Sequence, residues 1–315
     1  MYKNIIVDGH CDTLQMAYDE GLSIFDRKYS FNIKDVKCIL PYIQFLSCFI
    51  NSKYNFKNNG FLRINAMLDK FYSEYENNKK NINLIKNKSD IKNNLDKVGI
   101  LLTIENGIAL GNDIYNLRKL YKRGIRVMSL TWNDDNFLAC GSHTKKDTGL
   151  TQKGKECIEL MNKLGIIIDI SHVSKKSFYD ICNITDKSII ATHSCVNSIC
   201  KNVRNLTDAQ IKIIAKRRGI VGVCFYKKFL LNNENVTIDE IINHIEYISD
   251  LVGTEYVGIG SDFDGMDKSD MPVGISGVRD IRNIEEKLIT RGFSKKEVYN
   301  IMGGNYIRVL KENLN

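Results

Sequence analysis

Short, unbroken apolar runs punctuate the chain at residues 4–7, 43–50, 98–104, 125–131, 166–170, 188–191, 220–225 and 256–260. They are dense in Ile and Val and alternate little, which is how strands covered on both faces read. Pro41 falls just before the second run, a position that a strand tolerates. Between the runs, Phe61, Ile64, Leu68, Phe71, Tyr72 and Tyr75 recur at helical spacing, as do Cys157, Ile158, Met161 and Leu164 after Thr151. Three later segments open on capping boxes: Thr207 with Gln210, Thr237 with Glu240, and Ser294 with Glu297. Eight strands alternating with helices predict an α/β fold, the (β/α)8 TIM barrel. A doubly wound parallel sheet is built from the same units and competes with it. With only two prolines and no Pro/Gly-rich linker, residues 1–315 read as a single barrel domain.

Composition sharpens this picture. A chain of 315 residues that is 43% hydrophobic can bury a large core. The formal charge of +8 raises nucleic acid as a partner, but the lysines are dispersed among asparagines. The most polar stretch, residues 77–97, reads as solvated surface rather than as a basic stripe, so no nucleic-acid partner is expected. Nine cysteines form no CxxC pair and are odd in number, which suits reduced thiols in a cytoplasmic protein better than zinc ribbons or a disulfide framework. The apolar run in "MYKNIIVDGH" is too short for a signal peptide and no stretch approaches a membrane span, so a soluble protein without a membrane partner is expected.

Candidate chemistry gathers at the ends of the predicted strands. The first ends in "DGHCD" with His10 and Asp12, the third in "TIEN" with Glu105, and the fifth in "DISH" with His172. The sixth ends in "ATHS" with His193 and the eighth in "GSDFDG" with Asp262. In a barrel these ends are neighbours at the C-terminal mouth, however far apart they lie in the chain. Imidazole nitrogens and carboxylate oxygens together suit zinc. Residues i and i+2 of a strand share a face, so His10 and Asp12 can grip one ion, and Glu105 could bridge it to a second held by His172 and His193. Two ions would activate a bridging water and polarise a carbonyl, leaving Asp262 as the proton shuttle.

Each residue alone has a plainer reading. A His-x-Asp pair can cap a turn, Glu105 can sit at a helix start or in a buried ion pair, and histidines at strand ends are often satisfied polar groups. The conjunction of three of the five histidines with three acids, all at strand ends, favours a metal centre. His244 falls inside a helical pattern and reads as structural; His143 lies in a loop near the mouth and stays open.

The runs "VDGHCDT", "QFLSCFI", "TIENG", "DTGLTQKGKE" leading to "LGIIIDISH", "THS", "VRNLTD", "GIGSDFDG" and "GGNYIRVL" resemble, in order and over nearly the whole chain, the renal or membrane dipeptidase family of the amidohydrolase superfamily. The resemblance implies a (β/α)8 barrel holding two Zn2+ per chain and hydrolysing dipeptides, including those with a C-terminal D-residue, by a metal-bridging hydroxide. It implies His10 and Asp12 as ligands of one zinc, Glu105 as the bridge, His172 and His193 as ligands of the other, and Asp262 as the catalytic acid/base. It also matches Arg204 to the arginine that binds the substrate carboxylate and Tyr226 to a tyrosine of the same pocket, and it suggests a homodimer. A guanidinium suits that role on its own chemistry, since it can grip a carboxylate with two parallel hydrogen bonds.

The likeness breaks at "SLTWND", where mammalian members carry a histidine that contacts the substrate and this chain has Trp132. Trp132 offers an indole donor and a flat apolar wall, so substrate preference is expected to differ; His143 is a candidate replacement. The mammalian members are secreted and lipid-anchored, whereas this chain is expected to lack the signal sequence and anchor tail. The alternatives are another binuclear amidohydrolase acting on N-acyl amino acids, lactams or lactones, and a non-catalytic metal or peptide binder. The intact Asp262 counts against the binder, which has no need of a general base.

Overall fold

The computed structural model describes residues 4–54, 59–93, 96–233 and 235–315. Its strands are β1 (Ile6–Cys11), β2 (Tyr42–Phe49), β3 (Ile82–Leu84), β4 (Val98–Glu105), β5 (Ile125–Ser129), β6 (Ile167–Asp169), β7 (Ile189–Ser194), β8 (Ile220–Val223) and β9 (Val257–Ile259). All pairings between them are parallel. Eight close a ring in the order β1, β2, β4, β5, β6, β7, β8, β9, because β2 pairs with β4 and β1 with β9. This is the (β/α)8 TIM barrel, and closure is what separates it from the doubly wound sheet.

Each of the eight apolar runs became one of these barrel strands. The ninth strand, β3, falls where the sequence reading expected solvated surface. Ile82, Leu84 and Ile85 are buried, and β3 pairs with Val98–Ile100 of β4 below the point where β5 takes over at Leu102. Three apolar residues hidden in an Asn/Lys-rich stretch suffice for an edge that one strand must cover. Of that stretch, residues 94 and 95 lie outside the described residues.

The core has two layers, as the pattern of unbroken apolar runs requires. Inside the barrel, Val7, Ile43, Phe45, Leu101, Val127, Ile167, Ile190 and Ile220 form one cluster with Tyr306, Ile307, Val309 and Leu310 of the last helix, Asn305–Asn313. Tyr306 meets Phe45 edge to face at 5.2 Å, so the "GGNYIRVL" segment packs into the barrel core. The larger outer cluster lies between strands and helices. The helix Asn59–Asn78 buries Ile64, Met67, Leu68 and Phe71, the stripe that the spacing predicts. All three capping boxes form, and Thr151 caps the helix Gln152–Leu164. No helix among the described residues is long and apolar enough to cross a membrane.

Candidate metal centre

Two irregularities in the barrel aim side chains into its mouth. Along β1, Asp8 pairs with Gln44 but Cys11 with Leu46, so β1 carries one extra residue around His10. Along β7, Ala191 pairs with Val221 but Ser194 with Val223, an extra residue around His193. Such bulges bend the strand and redirect a side chain. The Thr192 carbonyl in this segment approaches the end of β9, where a Cβ on Gly260 would lie 1.9 Å from it, so only glycine fits there.

These devices bring His10, Asp12, Glu105, His172 and His193 together, all buried. The two oxygens of Glu105 divide between two groups. Oε2 lies 3.1 Å from His10 Nε2, which is 3.4 Å from Asp12 Oδ2. Oε1 lies 2.8 Å from His172 Nε2 and 3.9 Å from His193 Nε2. Asp262 Oδ1 is 3.8 Å from His10 Nε2, on the Asp12 side. Asp12 stands at the start of the helix Thr13–Glu20 but makes no capping hydrogen bond, and its Oδ1 is buried without a partner. His172 and Asp262 both adopt the left-handed backbone region, φ 69° and 62°, strain that tends to collect at functional sites.

The donor set fits divalent cations. Thr192 Oγ1 donates to Asp169 Oδ2 at 2.6 Å and so accepts from His193 Nδ1–H at 2.9 Å. Asn133 Oδ1, which can only accept, receives His172 Nδ1–H at 2.8 Å. Both imidazoles are thus left with a lone pair on Nε2, and these atoms face each other at 2.8 Å beside Glu105 Oε1. Two imidazole lone pairs beside a carboxylate oxygen suit a positive charge placed among them. Burial, reinforced by the Arg204 and His10 charges, holds both histidines well below their usual pKa, in the neutral form that binds metal. Burial opposes charge on His10 too, but Asp12 and Glu105 overcome it and raise His10 well above its usual value. Glu105 itself is pushed up to about 7, by burial and then by Asp12. Gly265 completes the cradle: a Cβ there would lie 2.6 Å from Asp12 Oδ2 and 2.5 Å from Asp262 Oδ1.

A cavity of about 470 Å³ opens onto this cluster, lined by Met16, Trp132, Asn133, His172, Tyr226, Phe229, Asp262 and Met266 among others. Trp132 stands 5.4 Å from Phe49 and 6.3 Å from His172, ring to ring. Tyr226 packs edge-on against Phe229 at 4.8 Å. Arg204 is buried on the flank of this cluster and lines a neighbouring cavity of about 330 Å³. Its Nη2 donates to the His193 carbonyl at 3.2 Å, its Nε has no partner, and its guanidinium carbon lies 5.4 Å from the Phe229 ring. His143 is exposed, and its backbone N–H donates to the Asn133 carbonyl. His244 is buried inside the helix Ile238–Val252 with both ring nitrogens on backbone groups.

The sequence reading passed over the groups that orient the candidate ligands. Asn133 holds His172, and Asp169 acts through Thr192 on His193. Asp8 accepts from Ser261 Oγ at 2.5 Å and from the Ser261 N–H at 2.8 Å, joining the ends of β1 and β9 beside Asp262. An acid inside an apolar run, Asp8 in "IIVDG" and Asp169 in "IIIDIS", is the signal that would have found two of them.

Residues 1–315 match the family described as membrane dipeptidase, peptidase family M19. An uncharacterized dipeptidase of Schizosaccharomyces pombe is 30% identical over 291 residues, covering 86% of this chain and 69% of that protein. Among solved structures, an amidohydrolase from Pseudomonas aeruginosa superposes with a TM-score of 0.85 at 24% identity, over 99% of this chain and 97% of the other. A metallo peptidase from Rhodobacter sphaeroides, liganded with a phosphinate mimic of the dipeptide L-Ala-D-Ala, superposes with a TM-score of 0.89 at 20% identity, over 99% of each chain. Both structures share the fold.

Proposed function

The chain belongs to the membrane dipeptidase family, and from that premise we propose that it is a zinc-dependent dipeptidase whose substrates include dipeptides with a C-terminal D-residue. One observation carries the reading: the two carboxylate oxygens of Glu105 each face a separate buried imidazole group. His10, Asp12 and Glu105 would hold one zinc ion, and Glu105, His172 and His193 a second. Such ions supply a water of lowered pKa and polarise the scissile carbonyl.

The chain's own groups do the rest. Asp262 takes a proton from the attacking water and returns it to the leaving amine. Burial raises its carboxyl to about 6, with Asp12 adding to the rise and His10 opposing it, so it is mostly ionised at neutral pH yet able to give the proton back. Arg204, with a free buried Nε, is the partner for the substrate carboxylate. Tyr226 and Trp132 form walls of the cavity, and Trp132 stands where a polarising imidazole would otherwise be. The L-Ala-D-Ala mimic held by the Rhodobacter protein is the reason for including D-residues. We further read residues 1–315 as one catalytic unit that works in the cytoplasm as a homodimer; nine unpaired cysteines support a reducing compartment.

Elemental analysis of the purified protein, with hydrolysis of L,L- and L,D-dipeptides measured before and after chelation, tests the reading. Two zinc ions per chain with chelator-sensitive cleavage are expected. Two ions without dipeptide cleavage would move the search to N-acyl amino acids, lactams and lactones, and a chain that takes up no zinc would overturn the metal centre itself.

A further inference from the structure

His172 is gripped by the loop that follows β5. Its carbonyl accepts from the Ser142 N–H at 2.7 Å and from Thr131 Oγ1 at 3.1 Å, which holds the residue in its left-handed conformation. Its ring donates from Nδ1 to Asn133 Oδ1 at 2.8 Å, with Nε2 turned to Glu105 and His193. Asn133 is itself fixed: Oδ1 also accepts from Ser142 Oγ at 3.2 Å, and its carbonyl accepts from the His143 N–H at 2.9 Å. The loop therefore positions both the backbone and the imidazole of one residue, while His193, across the cluster, is oriented by a separate pair, Thr192 and Asp169.

A neutral imidazole binds metal only through the nitrogen that carries no proton, and the partner of the other nitrogen decides which that is. An amide oxygen at Nδ1 places the proton there and presents the Nε2 lone pair to Glu105 and His193. We propose that Asn133 is a positioning residue that sets the tautomer and orientation of His172, and so governs how tightly the chain holds the cation shared by Glu105, His172 and His193. This rests on the metal centre argued above. The other cation, held by His10, Asp12 and Glu105, draws nothing from Asn133 and is unaffected by its loss.

The test is a zinc titration against a competing chelator, run on the metal-free wild-type chain and on N133L and N133D. Leucine keeps the size of the side chain but removes the acceptor, whereas aspartate keeps an acceptor oxygen. In N133L one equivalent is expected to bind about 10–100-fold more weakly, the usual cost of losing such a partner, while the other binds as in the wild type. N133D is expected to hold both as the wild type does. Two equivalents bound equally well by N133L and the wild type would overturn the proposal and leave the metal centre standing. A wild-type chain that takes up fewer than two ions would overturn both.

Discussion

Cys224 directs its thiol at Asp262, with Sγ 3.6 Å from Oδ2. That leaves Oδ1, which faces His10 Nε2 at 3.8 Å, as the oxygen free to exchange a proton. Asp262→Asn removes the proposed base but hardly changes the volume, so turnover is expected to fall by about 10²–10⁴-fold. Metal content should stay at the wild-type value, because Asp262 is outside the proposed ligand set. Turnover measured on metal-replete protein checks this, and a fully active variant would remove Asp262 from the mechanism.

Gly265 sits where the tip of the last strand loop meets the cluster. Gly265→Ala would drive a methyl between Asp12 Oδ2 and Asp262 Oδ1, 2.6 Å and 2.5 Å away. The residue is exposed on its other side, so global stability should change little. A displacement of about 1 Å at reacting groups costs on the order of 10²-fold in rate. A loss of that size in kcat/KM with an unchanged melting temperature is the expected pair of results.

Arg204→Lys keeps the charge and loses the planar fork. Hydrogen bonds to charged groups contribute about 1.5–3 kcal/mol each, so KM for a dipeptide should rise about 10–100-fold with kcat much less affected. A C-terminally amidated dipeptide, which lacks the carboxylate, should not distinguish the variant from the wild type. Equal losses on both substrates would point instead to damage through the His193 carbonyl, to which Nη2 donates.

Stability carries its own pH signature through His244. Burial holds this imidazole at about 4, against 6.5 for the unperturbed group. Between those values the unfolded chain binds a proton that the folded chain refuses, so stability rises with pH across that window. The contribution is full above pH 6.5 and is lost as pH falls to 4, a change of about 3 kcal/mol. Denaturant unfolding of His244→Gln should show a shallower loss of stability on acidification than the wild type. Parallel profiles would mean that His244 is not held neutral.

How much of this was legible in the sequence follows from what local pattern records. Burial on both faces leaves its mark residue by residue, so the eight barrel strands could be read from Ile/Val runs, and the (β/α)8 order from the helices between them. His10, Asp12, Glu105, His172, His193 and Asp262 stood out because each follows such a run, and the barrel's connectivity alone makes strand ends neighbours. β3 was hidden because its few apolar residues lie among lysines and asparagines and gain their burial from tertiary packing beside the edge of β4.

Other features depend on partners that no local window contains. The extra residues at His10 and His193 exist only relative to the register of β2 and β8. The left-handed backbone of His172 is held by Ser142 and Thr131, 30 and more residues away in the chain. The tautomers of the two facing histidines are set by Asn133 and by Thr192 with Asp169. The sequence by itself determined which side chains stand at the barrel mouth, because periodic burial places strand ends. Only the tertiary structure decided where their lone pairs point, because hydrogen bonds between distant segments fix the direction of each ring.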